Sequence, residues 1–417
     1  MNLYRLELKR VCKTRMTAIL LAIALVLAVV MAYLPVTFIG WTELDASGNK
    51  VSYTGLKAIQ KRQEQQVSGT ITPDVMQEAL EAYQWVYRQY DASSINDIPD
   101  EVFYKELARY QPLVNNAKEA FADPKTGMAP GVMGLTAEDM QNFYSQLPKR
   151  LESVIWLEQS GKPGYEQAQA IAQKKFDAVQ KPFTYSFGVS SDAMDYQTLL
   201  SLLLTLLCAV IAAPVFASDA QTGAQDIQLC TKNGGLRLAA AKLAAAFSIT
   251  GAAYLLCGVV WILVTNALFG WESTQTSVQW LFSVTSLLPY TVGQMEWVML
   301  VANFLIFFAE VAFVLMASVW AKNNLTALSV ALISVVAPLI VYMVVPGSFG
   351  EWLSTLIPAG GIGLSNALLY KMISFDFLYA GGHAFFQADV LLASAPIKIV
   401  LLVGLAAWGY LRKTKVA

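Results

Sequence analysis

The stretch "MTAILLAIALVLAVVMAYLPVTFI", Met16 to Ile39, is a long run without a charged side chain. A helix needs about 20 mostly apolar residues to cross the hydrocarbon core of a bilayer, so this run is long enough to span a membrane. It is also longer than the apolar core of a typical secretory signal, and "YLPVTFIGW" at its end has no small-x-small cleavage pattern. We therefore predict a retained transmembrane helix over residues 16–39.

The composition of the whole chain supports the same interpretation. The 417 residues are 56% hydrophobic and only 14% charged, whereas about 25% of the residues of an average soluble domain are charged. The sequence predicts an all-α polytopic membrane protein with six transmembrane helices, of which helices 2–6 lie within residues 196–417. The five later helices are predicted at Tyr196 to Phe216, Leu243 to Leu268, Trp297 to Trp320, Ala327 to Val345 and Ile397 to Tyr410.

Positive charges indicate the orientation of these helices. Lys and Arg concentrate in the short loops and tails on the side that holds the N-terminus, whereas the opposite short loops, 269–296 and 346–394, contain only Lys371. Such an excess is typical of the cytoplasmic side, so both termini are predicted to be cytoplasmic. The residues on that side are Arg5, Lys9, Arg10, Lys13, Arg15, Lys232, Arg237, Lys242, Lys322, Arg412, Lys413 and Lys415.

The polar segment 40–195 is then predicted to lie outside the cytoplasm, because long domains translocate largely regardless of their charge. "TPDVMQEALEAYQWVYRQY", "TAEDMQNFYSQLPKRLESVIWLEQ" and "GYEQAQAIAQKKFDAVQ" have helical spacing, and the second begins with a capping box from Thr136 to Asp139. We expect a mostly α-helical extracytoplasmic domain between helices 1 and 2. It has no Ser/His/Asp set, metal cluster or phosphate loop, which favours binding or gating over catalysis.

A second polar stretch, "FASDAQTGAQDIQLCTKNGGLRLAAAK", runs from Phe216 to Lys242 and is longer than a passive connection requires. We predict a short helix with Asp219 early, where a negative charge suits the positive end of the helix. Gly234 and Gly235 are expected to break it. A second helix then resumes, with Arg237 and Lys242 at the level of the lipid phosphates.

The order of these features is informative. This order resembles that in the membrane subunit of a type-2 ATP-binding-cassette (ABC) transporter. It consists of an apolar span, Phe-Ala-x-acid, Gly, a short helix, Gly-Gly-x-Arg, an Ala-rich stretch with Lys and the next span. "VQWLFSVTSLLPYTVGQMEWVML" and "ASVWAKNNLTALSVALISVVAPLIV" are similar to the later spans of permeases common in Gram-positive bacteria. The resemblance covers residues 1–40 and 196–417, whereas the inserted domain matches only in placement. Asp219 is a departure, because this position is usually Glu in the family.

The resemblance implies a permease subunit of an exporter in the bacterial plasma membrane. Loop 217–242 would be a coupling helix that docks on a separate ABC ATPase subunit, residues 1–15 an amphipathic elbow helix beside it, and segment 346–394 a re-entrant element. A second permease copy or a paralogue would complete the pathway. The alternatives are a solvated loop with basic anchors and a simple basic N-terminal segment. The coupling residues implied are Asp219, Gly223, Asp226, Lys232, Gly235 and Arg237.

The chain has no G-x-x-x-x-G-K-[ST] motif, so ATP-Mg is expected on the partner ATPase. We expect no catalytic residue, metal or cofactor on this chain, and the net charge of -1 gives no reason to expect nucleic acid. One alternative function is a membrane receptor or sensor whose extracytoplasmic domain binds a ligand without transport. Another is an intramembrane enzyme using Glu310, which would need a second carboxylate, a His or a metal set in the spans.

Glu310 is predicted near the middle of the bilayer, where an ionisable side chain is a functional candidate by default. It either takes part in the pathway or gating, or forms an interhelical hydrogen bond with a residue such as Thr205 or Thr250. Asn303 in the same helix has the same two interpretations. Lys398 is expected to extend to the membrane surface, and His383 to lie in an outer loop.

Overall fold

The computed structural model describes residues 3–45 and 47–414, without the side chain of Thr414. The structure is 72% helical, and six helices within these residues are long and apolar enough to cross a membrane. The prediction of a mostly helical, multi-pass membrane protein is confirmed at this level. Residues 1 and 2 of the predicted elbow helix and Lys415 of the basic tail lie outside the described residues.

Each predicted transmembrane segment coincides with one of the six helices, which we call spans 1 to 6. Several are longer than predicted, because a helix continues past its apolar core for as long as its backbone hydrogen bonds are made; span 6 begins well before Ile397. The spans are Arg15–Phe38, Ser191–Gln221, Leu236–Phe269, Val292–Trp320, Asn324–Val344 and Gln387–Lys413.

Span 4 lies at the centre of the bundle and packs against spans 2, 3, 5 and 6. Its contact with span 3 depends on two glycines. A Cβ atom on Gly251 would lie 2.8 Å from the Phe308 ring, and one on Gly258 would lie 2.3 Å from a methyl group of Leu300. Small residues let membrane helices approach closely, so these glycines place the backbones of spans 3 and 4 side by side.

The segment between spans 1 and 2, residues 40–190, forms what we call the inserted domain. Its three predicted helical stretches are helical, and Thr136 and Asp139 make the predicted reciprocal capping box. Two small antiparallel sheets were not predicted: Gly40–Leu44 with Lys50–Thr54, and Gly69–Thr70 with Thr184–Tyr185. The α-helices are Leu56–Gln65, Pro73–Gln89, Asp100–Val102, Gln111–Ala120, Ala137–Gln141, Phe143–Gln159 and Tyr165–Phe176.

The inserted domain packs on one end of the bundle, which we call the domain end. Gln63 Nε2 donates to the carbonyl oxygen of Phe269 at 2.6 Å, at the end of span 3. The Lys175 ammonium lies 3.0 Å from the Asp389 carboxylate in the first turn of span 6. At the opposite end lie the N-terminal helix Leu3–Cys12, the 214–242 region and Arg412, and we call this the basic end.

Segment 346–394, where the resemblance implies a re-entrant element, contains both helices and strands. Helices Gly347–Leu356 and Leu368–Ile373 are present, but an antiparallel hairpin, Phe377–Ala380 with His383–Phe386, follows them. Gly381 and Gly382 both have positive φ, as a tight two-residue hairpin turn requires. The signal in the sequence was a Gly-Gly pair between two aromatic-rich runs.

Two residues of this region make contacts that were not predicted. His383 Nδ1 lies 3.2 Å from Gln167 Oε1, so the imidazole joins the hairpin to the inserted domain. Lys398 Nζ donates to the carbonyl oxygens of Thr355 and Ile357 at 3.0 and 3.1 Å. The ammonium thus binds free carbonyls at the end of a short helix, where it acts as a cap.

Candidate functional site

A buried charge cluster lies at the basic end. The Asp219 carboxylate accepts from Arg10 Nη1 at 2.8 Å and 3.0 Å, and it also pairs with the ammonium of Lys242. Asp219 is 7% exposed and Lys242 is 1% exposed. Arg10 Nε lies 2.9 Å from Glu7, which completes a cluster of two acids and two bases. Burying charges in this way is tolerated because each has an opposite partner.

The cluster joins four parts of the chain. Arg10 comes from the N-terminal helix, Asp219 from the last turns of span 2 and Lys242 from the first turns of span 3. Lys242 Nζ also donates to Gln228 Oε1 at 3.2 Å, in the helix Ala224–Leu229, which we call the loop helix. These contacts place the N-terminal helix beside the ends of spans 2 and 3.

The structure corrects one detail of this region. Asp219 is not early in the loop helix, because Gly223, with φ of +73°, separates that helix from the end of span 2. Asp226 occupies the first turn instead. Lys242 is buried and pairs with Asp219. The predicted break at the two glycines is present, and span 3 begins at Leu236.

The six implied coupling residues therefore separate into two groups. Asp219 is internal and Gly235 is half-buried, whereas Gly223, Asp226, Lys232 and Arg237 are exposed. Sequence reasoning missed two exposed apolar neighbours, Ile227 and Leu236, which are 74% and 55% exposed. The available signal was an isoleucine between polar residues in "QDIQ". We call Asp226, Ile227, Lys232, Leu236 and Arg237 the loop surface.

Span 2 is interrupted at Ala213, just before the loop. Pro214 starts its last part and has no N–H to donate. The amides of Phe216 and Ala217 donate instead to Ser318 Oγ of span 4, at 3.0 and 3.1 Å, and this hydroxyl donates to the carbonyl of Ala213 at 2.5 Å. One serine thus ties the end of span 2 to the central helix.

Glu310 is fully buried in span 4 and bonds to Ser334 Oγ of span 5. The predicted partners Thr205 and Thr250 are wrong, because each donates to a carbonyl of its own helix. The predicted interhelical hydrogen bond of Glu310 is present. Which residue forms it depends on how each helix is rotated about its axis. Asn303, two turns earlier in span 4, is also buried.

A second buried acid, Glu296, was missed, because in the sequence it only marks the start of an apolar run. It lies in span 4 at the domain end, and Asn266 Nδ2 of span 3 donates to its Oε2 at 2.6 Å. Both side chains are buried. The signal was an acid and an amide near the ends of consecutive spans.

No protein-family model matches this chain, and no curated protein is similar to it. Within residues 3–45 and 47–414, no group of three His, Cys, Asp or Glu side chains is placed to hold a metal ion. At the basic end, paired charges connect the exposed loop to spans 2 and 3, and the Ser318 hydroxyl connects the end of span 2 to span 4.

Proposed function

We propose that this chain is the permease subunit of an ABC exporter in the bacterial plasma membrane. In this proposal the termini and the loop surface are cytoplasmic and the inserted domain is extracytoplasmic. A second permease copy or paralogue and two ATPase subunits complete the transporter. The observation that carries the proposal is the series of polar contacts that leads from the loop helix through Lys242 of span 3 to Asp219 of span 2 and on to the N-terminal helix.

A coupling element has to transmit force without yielding, and the contacts of the loop helix suit that task. Gln228 contacts Lys242, Lys242 contacts Asp219, and Asp219 contacts Arg10. Ser318 connects the same part of span 2 to span 4. A displacement of the loop helix would therefore move the ends of several spans together.

The loop surface has the composition of a protein interface. Ile227 and Leu236 are exposed apolar side chains, and Asp226, Lys232 and Arg237 are exposed charges near them in the chain. Apolar anchors accompanied by charged residues are typical of docking surfaces. A separate ATPase subunit is the occupant that we propose.

Spans 5 and 6 leave room for the second permease. Only 28% of the apolar window of span 5 and 17% of that of span 6 is buried, compared with 67% for span 4. Lipid and a second membrane subunit are the two surroundings that suit such open apolar faces. The pathway is proposed to lie between the two permeases.

Affinity purification of the full chain in mild detergent, from membranes of the organism that encodes it, tests this proposal. We expect a subunit with a phosphate-loop sequence and ATP hydrolysis to accompany the wild-type chain. Ile227→Asp and Arg237→Glu should lose it, whereas Met128→Asp, at a 72% exposed residue of the inserted domain, should retain it. These variants are preferable to changing Asp219, whose buried pairs support the fold. A monodisperse wild-type chain without any ATPase would overturn the proposal.

A receptor or sensor is the second candidate, and one cavity favours it. A cavity of about 830 Å³ lies between the inserted domain and the bundle, lined mainly by apolar side chains and also by Lys174, Lys175 and Asp389. Clefts of this size commonly hold small molecules. A ligand that raises the melting temperature of a chain with no ATPase partner would favour this alternative.

A further inference from the structure

The cavity of about 830 Å³ at the domain end lies at the level of the membrane surface. The bundle contributes Val298 of span 4 and Leu392 and Ala393 of span 6 to its lining, and all three lie in the second turn of their span. Trp297, next to Val298, is 46% exposed. Exposed tryptophans near span ends are typical of the boundary between lipid and water. The cavity therefore lies where the polar and apolar parts of a lipid molecule meet.

An exposed apolar strip continues from the cavity along span 6. Ala393 lines the cavity, and Ile397 and Val400 follow it at intervals of four and three residues, which places the three on one face of the helix. Ile397 and Val400 are 61% and 72% exposed. On span 4, Val301 follows Val298 by three residues and is 62% exposed. These side chains offer an acyl chain a path from the cavity toward the middle of the bilayer.

The polar part of the lining carries an excess of positive charge. Lys174 and Lys175, at the end of the helix Tyr165–Phe176, line the cavity together with Asp389. Lys175 pairs with Asp389 at 3.0 Å. Lys174 is exposed and forms no ion pair in the described part of the chain. One ammonium group beside the apolar lining is therefore left without an opposite charge.

We propose that this cavity binds a bilayer lipid with an anionic headgroup. The headgroup phosphate would lie against Lys174, and one acyl chain would occupy the apolar lining and follow the exposed strip of span 6. Lysine is a common ligand of phosphate, and basic side chains near a membrane surface attract anionic lipids. An amphiphile suits this position better than a water-soluble ligand, because the mainly apolar lining continues onto the exposed faces of two spans.

This is the cavity that favours the receptor as a second candidate function, but lipid binding requires neither a receptor nor an ATPase partner. It requires only that the spans lie in a bilayer. The lipid experiment and the affinity purification can therefore fail independently of each other.

Photoactivatable lipids test the proposal in nanodiscs that contain the purified full chain. The nanodiscs consist of phosphatidylcholine with a small fraction of a probe, either phosphatidylglycerol or phosphatidylcholine, that carries a diazirine on one acyl chain. We expect the phosphatidylglycerol probe to label the cavity and the strip from Ala393 to Val400, as mapped by mass spectrometry. Its labelling should exceed that by the phosphatidylcholine probe about fivefold, because only the former has a net negative charge. Glycerol phosphate, which has the headgroup chemistry without an acyl chain, should not displace it.

Three variants separate charge recognition from loss of folding. Lys174→Gln should lower labelling by the phosphatidylglycerol probe about fivefold. Lys149→Gln is the matched control, since it alters an exposed lysine of the inserted domain outside the cavity and should leave labelling unchanged. Asp389→Asn removes the only acid among the lining residues that the structure describes and should increase labelling, which a misfolded chain would not do.

Four results would overturn the proposal. The first is an absence of label in the cavity of the wild-type chain, and the second is equal labelling by the two probes. The third is an equal loss in Lys174→Gln and Lys149→Gln. The fourth is displacement of the probe by glycerol phosphate, which would indicate a site for a free phosphate instead of a lipid.

Discussion

At the scale of single residues, burial decides which charged side chains of the loop region a partner can reach. Lys242 and Arg237 are close in sequence, yet Lys242 pairs with Asp219 in the interior and Arg237 is exposed. We predict that Lys242→Met lowers the free energy of unfolding by about 3 kcal/mol, because Asp219 then keeps only Arg10. Arg237→Ala should change it by less than about 0.5 kcal/mol. Thermal unfolding in detergent measures both, and equal shifts would contradict the assignment.

The contacts of Glu310 and Ser334 indicate the protonation state of the Glu310 carboxyl group. The single hydroxyl proton of Ser334 has two acceptors within reach, Glu310 Oε1 and the carbonyl of Ala331 at 2.8 Å. If Glu310 is protonated, its O–H donates a hydrogen bond to Ser334 Oγ, and the Ser334 hydroxyl donates to the carbonyl of Ala331. Both contacts are then hydrogen bonds.

A neutral amide should therefore replace Glu310 well. We predict that Glu310→Gln keeps the free energy of unfolding within about 1 kcal/mol of wild type, whereas Ser334→Ala lowers it by about 1–3 kcal/mol by leaving a buried carboxyl group unpaired. Thermal unfolding of the two variants in one detergent checks this. A loss in Glu310→Gln as large as that in Ser334→Ala would indicate an ionised carboxylate.

At the scale of elements, Ser318 is the contact that holds the end of span 2. Ser318→Ala leaves the amides of Phe216 and Ala217 unpaired in a buried place, at a cost of about 1–3 kcal/mol. We predict faster hydrogen exchange over residues 214–221, measured by mass spectrometry, with unchanged exchange in the inserted domain as the internal control. Unchanged exchange over 214–221 would show that this end of span 2 does not depend on the serine.

The contact between the inserted domain and the 377–386 hairpin depends on one glycine. Gly164 has φ of +97°, and a Cβ atom there would lie 2.8 Å from the carbonyl oxygen of Gly382. Gly161 has a similar φ of +89° but open space around it, so it is a matched control for backbone strain. We predict that Gly164→Ala exposes the hairpin to limited proteolysis and that Gly161→Ala does not. Similar cleavage in both variants would mean that strain alone is responsible.

At the scale of the whole molecule, native cysteines report the proposed orientation. Cys12 and Cys230 are exposed at the basic end, whereas Cys208 and Cys257 are buried. A membrane-impermeant maleimide should label the first pair in inverted vesicles and leave it unlabelled in intact cells. Ser68→Cys, at an exposed position of the inserted domain, should be labelled in intact cells when Cys12 and Cys230 are replaced by Ser. The reverse pattern would invert the topology.

Features formed by residues close together in the sequence could be predicted, whereas features that depend on contacts between distant residues could not. The six spans were predictable, because an apolar run of sufficient length has to leave water wherever the rest of the chain lies. The helix Pro73–Gln89 was predictable from its Thr72 cap and apolar spacing. The 377–386 hairpin was not predicted, because its aromatic-rich strands also suit a buried helix. The loop was located correctly, but its buried and exposed sides were not separated.

The sequence by itself determined the helical class, the positions of the six spans, the basic end and the main helices of the inserted domain. All of these depend on neighbours within a few turns of helix. Only the tertiary structure decided that Asp219 pairs with Arg10, 209 residues away, that Glu310 bonds to Ser334, and that Asn266 and Gln197 donate to the carboxylate and to the main-chain oxygen of Glu296, respectively. These contacts depend on how each helix is rotated about its axis when the bundle packs, and packing involves all the spans together.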